Sequence, residues 1–506
     1  MSATTTQNAT LITETPDRTE HFDVLIVGAG LSGIGAGYHL QTRCPGKSYA
    51  ILESRNAIGG TWDLFRYPGV RSDSDMYTLG YNFRPWTDKK AIADGPDILN
   101  YIRETAREYG IDRKIRFGHR VARASWSSAN ALWTIDVSTP EGKSAQFTCN
   151  FLYMCSGYYN YEEGYMPGWP GMERFAGRIV HPQNWPEDLD YAGKRVVVIG
   201  SGATAVTLVP ALAETAASVT MLQRSPTYIV ARPSEDPIAK WLLRKTPAPV
   251  AHRLARWKNV LLTLYFYGLA RRKPEQTKKM LLGFVRQHLG PDYDVAKHFT
   301  PRYNPWDQRL CLVPDGDLFR AIRAGKAQIV TDEIDSFTEK GLRLRSGENL
   351  DADIIVTATG LNLKLLGGAQ ILIDGTPVNP AHSISYKGMM YSDIPNLASA
   401  FGYTNASWTL KVDLTAEYIC RLLNFMDLHG YAYAVPRRNP SIVEEPAINL
   451  TSGYFQRSSH LLPKQGSKNP WKWHQNYARD LVALRFGGVD DGTMEFVRLK
   501  DHRRSA

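Results

Sequence analysis

Two short segments of this chain carry glycines at a spacing that can hold a phosphate. The first places Gly28, Gly30 and Gly33 in the order G-x-G-x-x-G, behind an apolar run at 23–27 and ahead of a helical stretch. Strand, tight turn and helix in that order let the backbone approach a pyrophosphate and aim helix N-terminal amides at it. A second apolar run, 48–52, ends in Glu53, twenty residues past Gly33, where a carboxylate can accept hydrogen bonds from the ribose hydroxyls of an adenosine. The other segment, 194–205, repeats the pattern: Gly200, Gly202 and Ala205 satisfy G-x-G-x-x-A, with Thr204 inside the turn. Its next strand, 218–222, is followed by Gln223, Arg224 and Ser225 where the first unit has its acid. A guanidinium there suits an adenosine 2′-phosphate, which a carboxylate would repel, so the second site reads as NADP(H) and the first does not.

The elements around these turns must position them. Directly after Glu53 come G-G-T-W at 59–62, with Gly60, Thr61 and Trp62, and an irregular polar run at 66–75. Such a run inside a domain is accounted for if it lines a cofactor. Helical spacing follows at 98–109, alternating strands at 115–137 and an apolar strand at 151–156. Between the two glycine turns lies F-A-G-R-I-V-H-P-Q-N-W-P, 175–186, carrying His181, Trp185 and two prolines. It is too short and too Pro-rich for a core helix, so it reads as a rigid linker or clamp, with an ordinary interdomain loop as the alternative. Beyond the second turn, a helix is expected at 317–324 and a strand at 327–331.

A chain of 506 residues should hold more than one domain, because single cores seldom exceed ~250 to 300 residues. The net charge of +10 is local: residues 236–290 hold twelve Lys or Arg against two acids, the whole of the excess. This argues against a nucleic-acid-binding protein, whose basic surface would not be confined to one segment. Within it Leu254, Trp257, Leu261 and Leu264 or Tyr265 recur at helical spacing, which predicts a helical insertion packed on the second nucleotide unit. Its basic face could attract an anionic cofactor or rest weakly on a membrane surface, and an ordinary solvated face is the third reading. The longest uncharged run, 259–270, is too short to span a bilayer. Five scattered cysteines suit a reducing compartment, and no apolar leader precedes the fold, so the cytoplasm is expected. Histidines and cysteines show no metal-ligand spacing, and no metal is expected.

The segment at 175–186 matches F-x-G-x-x-x-H-x-x-x-W-P through Phe175, Gly177, His181, Trp185 and Pro186, and the chain thereby resembles the Baeyer-Villiger monooxygenases. The likeness runs from about residue 21 to the C-terminal region and includes G-G-T-W, R-Y-P-G, W-D-Q-R-L-C-L-V-P and G-Y-T-N-A-S-W-T-L-K. It implies FAD in the first site, NADPH in the second, and insertion of one oxygen atom of O2 beside a ketone carbonyl through a C4a-peroxyflavin, giving an ester or lactone. Sulfoxidation of thioethers goes with the same chemistry. An N- or S-oxygenase, a long-chain alkane hydroxylase and an uncoupled NADPH oxidase remain alternatives. The resemblance makes Arg309 the cation beside the oxygenated flavin and Asp73 the carboxylate that orients it. His181 and Trp185 would couple NADPH binding to domain rotation, and the region holding Asn405 and Trp408 would face the flavin. Many family members have Lys where this chain has Gln308, which leaves more of the NADPH preference to Arg224 and Ser225.

The expected architecture is α/β: two Rossmann-like dinucleotide-binding domains with a helical insertion in the NADP domain. Residues 1–20 form a disordered tail, 21–160 and 351–506 the FAD domain, 161–235 and 306–350 the NADP domain, and 236–305 the basic insertion. The apolar run 353–357, closed by Gly360, is taken as the strand that returns to the first domain. Oligomeric state is left open.

Overall fold

The computed structural model describes residues 19–140, 142–448 and 450–499, so the expected tail lies outside the described residues up to 18, and Glu20 already opens a strand. That strand, Glu20–Val27, is the axis of the first sheet. It runs parallel to Tyr49–Leu52 on one side and to Ser144–Met154 on the other. Val24, Leu25 and Ile26 are fully buried, as a central parallel strand covered on both faces requires. The short strands Ile115–Arg116 and Leu397–Ser399 extend the parallel part. The alternating residues at 120–138 form an antiparallel apron on Ser144–Met154. Helix Leu31–Arg43 leaves the first glycine turn and packs with the long helix Trp408–His429 in the largest core.

The second sheet has five parallel strands in the order Ala327–Thr331, Ser218–Gln223, Arg195–Ile199, Ile354–Thr357, Arg178–Val180. Here the structure corrects an expectation. The run 353–357 does not return to the first sheet; Ile354–Thr357 lies beside Arg195–Ile199 in the second. Four consecutive buried residues suit a central parallel strand of either sheet, so composition could not choose between them. The chain crosses back only after Gly360, where Leu361–Leu363 pairs antiparallel with the outgoing crossing, Tyr159–Gly164.

The segment 175–186 straps these two crossings together. His181 Nδ1 accepts from the Gln183 amide at 3.2 Å, so Nε2 carries the proton and donates to the Gly360 carbonyl at 3.2 Å. Burial lowers the His181 pKa, which keeps the ring neutral for this arrangement. Gln183 Nε2 donates to the Asn160 carbonyl at 2.9 Å. Gly164 leaves room for the imidazole, since a Cβ there would lie 1.9 Å from His181 Cε1.

The insertion leaves and rejoins the second unit through two parallel strands, Ile229–Arg232 and Cys311–Pro314. Helices Pro237–Lys245, Ala248–Arg272, Pro274–Leu289 and Val295–Phe299 lie between them. Of the apolar stripe expected to pack inward, Leu264 does, against Val260 and Tyr403, whereas Leu254, Trp257, Leu261 and Tyr265 face outward, 46%, 37%, 58% and 64% exposed. The buried face consists of Ala251, Ala255, Arg256, Asn259 and Val260, and it rests on the first half of the molecule, against helix Met76–Leu79. Small alanines permit the close approach, and the two polar side chains find partners there. Arg256 Nη1 donates to the carbonyls of Tyr77 and Gly80, both at 2.9 Å, and Asn259 Nδ2 donates to Asp75 Oδ1 at 3.0 Å. Leu282 and Val285 of the next helix join the core of the second unit. The insertion therefore bridges both halves and is not carried by the second alone.

Replacing Arg256 with Met should cost about 3 kcal/mol in chemical denaturation, because two carbonyls and the nearby Asp413 lose a buried cation. A change within about 0.5 kcal/mol would show that the anchor carries no stability.

Candidate active site

The two glycine turns are built alike. Gly28 and Gly200 have φ of +106° and +137°, and their amides donate to the end of the adjacent strand, at Leu52 (2.7 Å) and Leu222 (2.8 Å). A Cβ at either would strike the carbonyl of the neighbouring strand's continuation, 2.6 Å from Cys155 O and 2.3 Å from Ala358 O. Gly30 and Gly202 then cap helices Leu31–Arg43 and Ala203–Leu212 with extended backbones, and neither helix has an acid in its first turn. Gly33 and Ala205 are fully or nearly buried and serve helix-on-strand packing; a Cβ at Gly33 would lie 1.8 Å from Gly28 O. Around Gly202, by contrast, nothing lies within 4 Å of an added Cβ. Exposed amides over free space are the condition for holding a phosphate.

Both turns open on one cavity of about 1370 Å³. A single small-ligand site takes ~300 to 1,000 Å³, so this space exceeds what one small ligand needs. Glu53 lines it and uses one oxygen to accept from the Ala29 amide at 2.7 Å and the other from the Arg55 amide at 2.8 Å. Oε1 also accepts from the Ser54 hydroxyl at 3.3 Å, so Oε2 is the oxygen that keeps a further lone pair for a ribose hydroxyl. Gly60 meets the first turn backbone to backbone, a Cβ on it falling 3.1 Å from Gly30 Cα, and the Gly59 amide donates to Ala29 O at 3.1 Å. Thr61 Oγ1 shares a hydrogen bond with Tyr161 at 3.0 Å, and Trp62 lines the cavity beside it. At the second turn, Thr204, Arg224 and Ser225 line the same space, with Arg224 exposed and Gln308 close by.

Arg309 and Asp73 meet on the wall of this cavity. Arg309 Nη1 donates to Asp73 Oδ2 at 3.2 Å, while its Nε is buried with no partner among the described residues. Burial opposes charge on Arg309, while the Asp73 carboxylate favours it, and the pKa is raised. Burial also lifts the phenols of Tyr159 and Tyr454 well up and the Cys311 thiol to about 12, so at neutral pH all three keep their protons. Asp73 is held by its loop: the Ser72 amide donates to Ala93 O at 3.0 Å and Ser72 Oγ to Ser74 O at 2.7 Å. The same loop lies on the second glycine-turn helix, where a Cβ on Gly69 would stand 3.0 Å from Thr207 O.

Some expected site residues fall elsewhere. Asn405 does not line the cavity; it is buried and donates to Gln475 O at 2.9 Å. Its neighbour Trp408 does line it, with the indole N–H given to Ser32 Oγ at 2.8 Å. His181 and Trp185, expected to couple NADPH binding to domain rotation, do not reach it either: His181 borders a small adjoining cleft and Trp185 packs into the second core beside Tyr191. The sequence reading overlooked Arg71, which lines the cavity, forms an ion pair with Asp317 of the second unit and keeps a buried, unpartnered Nε. It also overlooked Arg457, stacked 3.5 Å over the Tyr165 ring. Arg71 stands two residues before Asp73 in R-Y-P-G-V-R-S-D, the one signal that could have marked it. Among the described residues no His, Cys, Asp and Glu cluster could hold a metal ion, and no helix is long and apolar enough to cross a membrane.

Comparison with known proteins agrees with this geometry. Residues 26–87 match the NAD(P)-binding Rossmann-like domain family, and residues 84–249 match the flavin-binding monooxygenase-like family. The chain is 58% identical to the FAD-containing monooxygenase EthA of Mycobacterium tuberculosis over 95% of this chain and 98% of that one. It is 56% identical to the EthA of Mycolicibacterium smegmatis over the same shares. A steroid monooxygenase solved with NADP shares the fold at a TM-score of 0.72 and 22% identity, covering 94% of this chain and 100% of that one. Cyclohexanone-bound cyclohexanone monooxygenase does so at 0.72 and 20%, covering 95% and 100%. Two like turns, one shared cavity and full-length identity above half lead to one conclusion: the chain belongs to the flavin-binding, FAD-containing monooxygenase family.

Proposed function

We propose that this chain is a Baeyer-Villiger monooxygenase that holds FAD at the Gly28 turn and NADPH at the Gly200 turn. It converts a ketone, O2, NADPH and a proton into an ester or lactone, NADP⁺ and water, and it oxidises thioethers. The observation that carries the reading is the Arg309 guanidinium, held by Asp73 on the wall of a cavity that both turns share. FAD held at the Gly28 turn would supply the activation of O2, from which the transferred oxygen atom comes.

The chain's own residues do the rest. Glu53 receives the ribose hydroxyls of the first nucleotide while keeping the Ala29 amide in place. Arg224 and Ser225 take the 2′-phosphate of the second, with Gln308 in reach as a neutral donor. Arg309 stays charged through the cycle and keeps Nε unpaired, so it offers a fixed cation to negative charge that develops on the carbonyl oxygen. Asp73 fixes its orientation from the opposite half of the molecule. Tyr159 and Tyr454 remain neutral beside it and add no competing anion. His181 and Trp185 act on domain geometry through the crossing strands, not on the substrate.

Arg309→Ala should retain the yellow chromophore and NADPH-driven bleaching but lose ester formation by at least about a hundredfold. Ester yield equal to wild type in product analysis would refute the role. Arg224→Ala should raise the KM for NADPH about tenfold or more and leave that for NADH unchanged; equal effects on both would reject 2′-phosphate recognition. Gly202→Val should leave thermal stability within about 1 kcal/mol, since its side chain enters open space, yet weaken NADP⁺ binding about tenfold or more by calorimetry.

A further inference from the structure

The outward stripe on helix Ala248–Arg272 belongs to a larger surface. Of the eighteen large apolar side chains exposed among the described residues, eleven fall between 238 and 284. Val250, Leu254, Trp257, Leu261 and Tyr265 recur every three or four residues and so share one helix face. Trp241 on the preceding helix and Phe284 on the following one are 57% and 50% exposed. A water-facing helix would place its polar residues here, and this one does the reverse.

Charge accompanies the apolar side chains. In the insertion, Lys240 pairs with Glu235, Lys258 with Asp236 and Arg271 with Asp307. Between 236 and 290, seven exposed cations have no acidic partner among the described residues: Arg244, Lys245, Arg253, Arg272, Lys273, Lys279 and Arg286. We propose that this helical insertion docks the enzyme on an anionic lipid surface, with the stripe entering the headgroup layer and the free cations meeting lipid phosphates. An apolar face with Trp and Leu, flanked by Arg and Lys, is the composition that lies in a bilayer interface without crossing it.

Other occupants fit less well. A two-fold contact between copies would set the seven unpaired cations of one against the seven of the other. Nucleic acid would meet the cations but has no use for exposed Val250, Leu254 and Leu261. Docking also has a place in the architecture. On the buried face of the same helix, Val260 packs against Tyr403, which lines the cavity. One helix, about 10 Å across, therefore separates the lipid-facing stripe from the cavity wall.

The test is flotation of the full-length FAD-loaded enzyme with vesicles of phosphatidylcholine alone or mixed with phosphatidylglycerol. The enzyme should float with the anionic vesicles at least about tenfold better than with the neutral ones, and be released near 0.5 M salt as its charges are screened. Leu254→Ser with Leu261→Ser, and separately Arg253→Glu with Arg272→Glu, should each cut flotation about tenfold while turnover of a water-soluble substrate stays at wild type. Neither pair lies in the site, so an unfolded variant is told apart by loss of that turnover. Equal recovery with both vesicle types, no recovery with either, or flotation untouched by both double variants overturns the proposal. So does a stripe-dependent dimer by analytical ultracentrifugation in the absence of lipid, or binding to single-stranded DNA that the vesicles do not displace.

Discussion

A guanidinium and a carboxylate 236 residues apart meet at 3.2 Å, and the arrangement of this molecule is the set of conditions under which they can. Arg309 belongs to the second unit, two residues before the strand Cys311–Pro314, and Asp73 to a loop of the first. Beside them Arg71 reaches Asp317 across the same divide. A lone cation on a partly desolvated wall would be costly, and the carboxylate removes that cost while leaving donors unspent. Both pairs depend on the run at 66–75, whose irregular backbone lies on the second glycine-turn helix and is tied to the Ala93 carbonyl.

The same physical rule shapes both glycine turns, which is why they were legible in the chain. A positive-φ glycine wedged against the neighbouring strand and an extended glycine at the helix start are demanded by local backbone geometry, and local geometry leaves a mark in spacing. That Glu53 and Arg224 stand on the cavity wall is readable for the same reason, since strand length fixes where the next side chain emerges. What could not be read was set by partners distant in sequence. Residues 354–357 are all buried, and only their neighbour, Arg195–Ile199, decides which sheet they enter. Asn405 turns toward a backbone carbonyl at 475 that no local pattern announces.

The insertion shows the limit of periodicity most clearly. A helix with apolar residues every three or four positions is ordinarily read with that face inward. Here the inward face is alanine with Arg256 and Asn259, because what it meets is a helix end offering two carbonyls and the carboxylate of Asp75. Burial pushes the Asp75 pKa up, the mark of a carboxylate that depends on its partners. Local pattern gave the helix, and the chemistry of the opposing surface gave its rotation.

The parallel pair Ile229–Arg232 and Cys311–Pro314 brings the two ends of that excursion into adjacent strands. The entropy of closing a loop between fixed ends grows only as the logarithm of its length, about 0.6 kcal/mol for each doubling. Length added or removed between the anchored helices therefore carries a small entropic penalty, provided the Arg256 and Leu282 contacts are kept, while the strand that follows Arg309 keeps its register. The outward surface of the insertion and the walls of the cavity thus become separable traits, free to diverge at different rates on one scaffold.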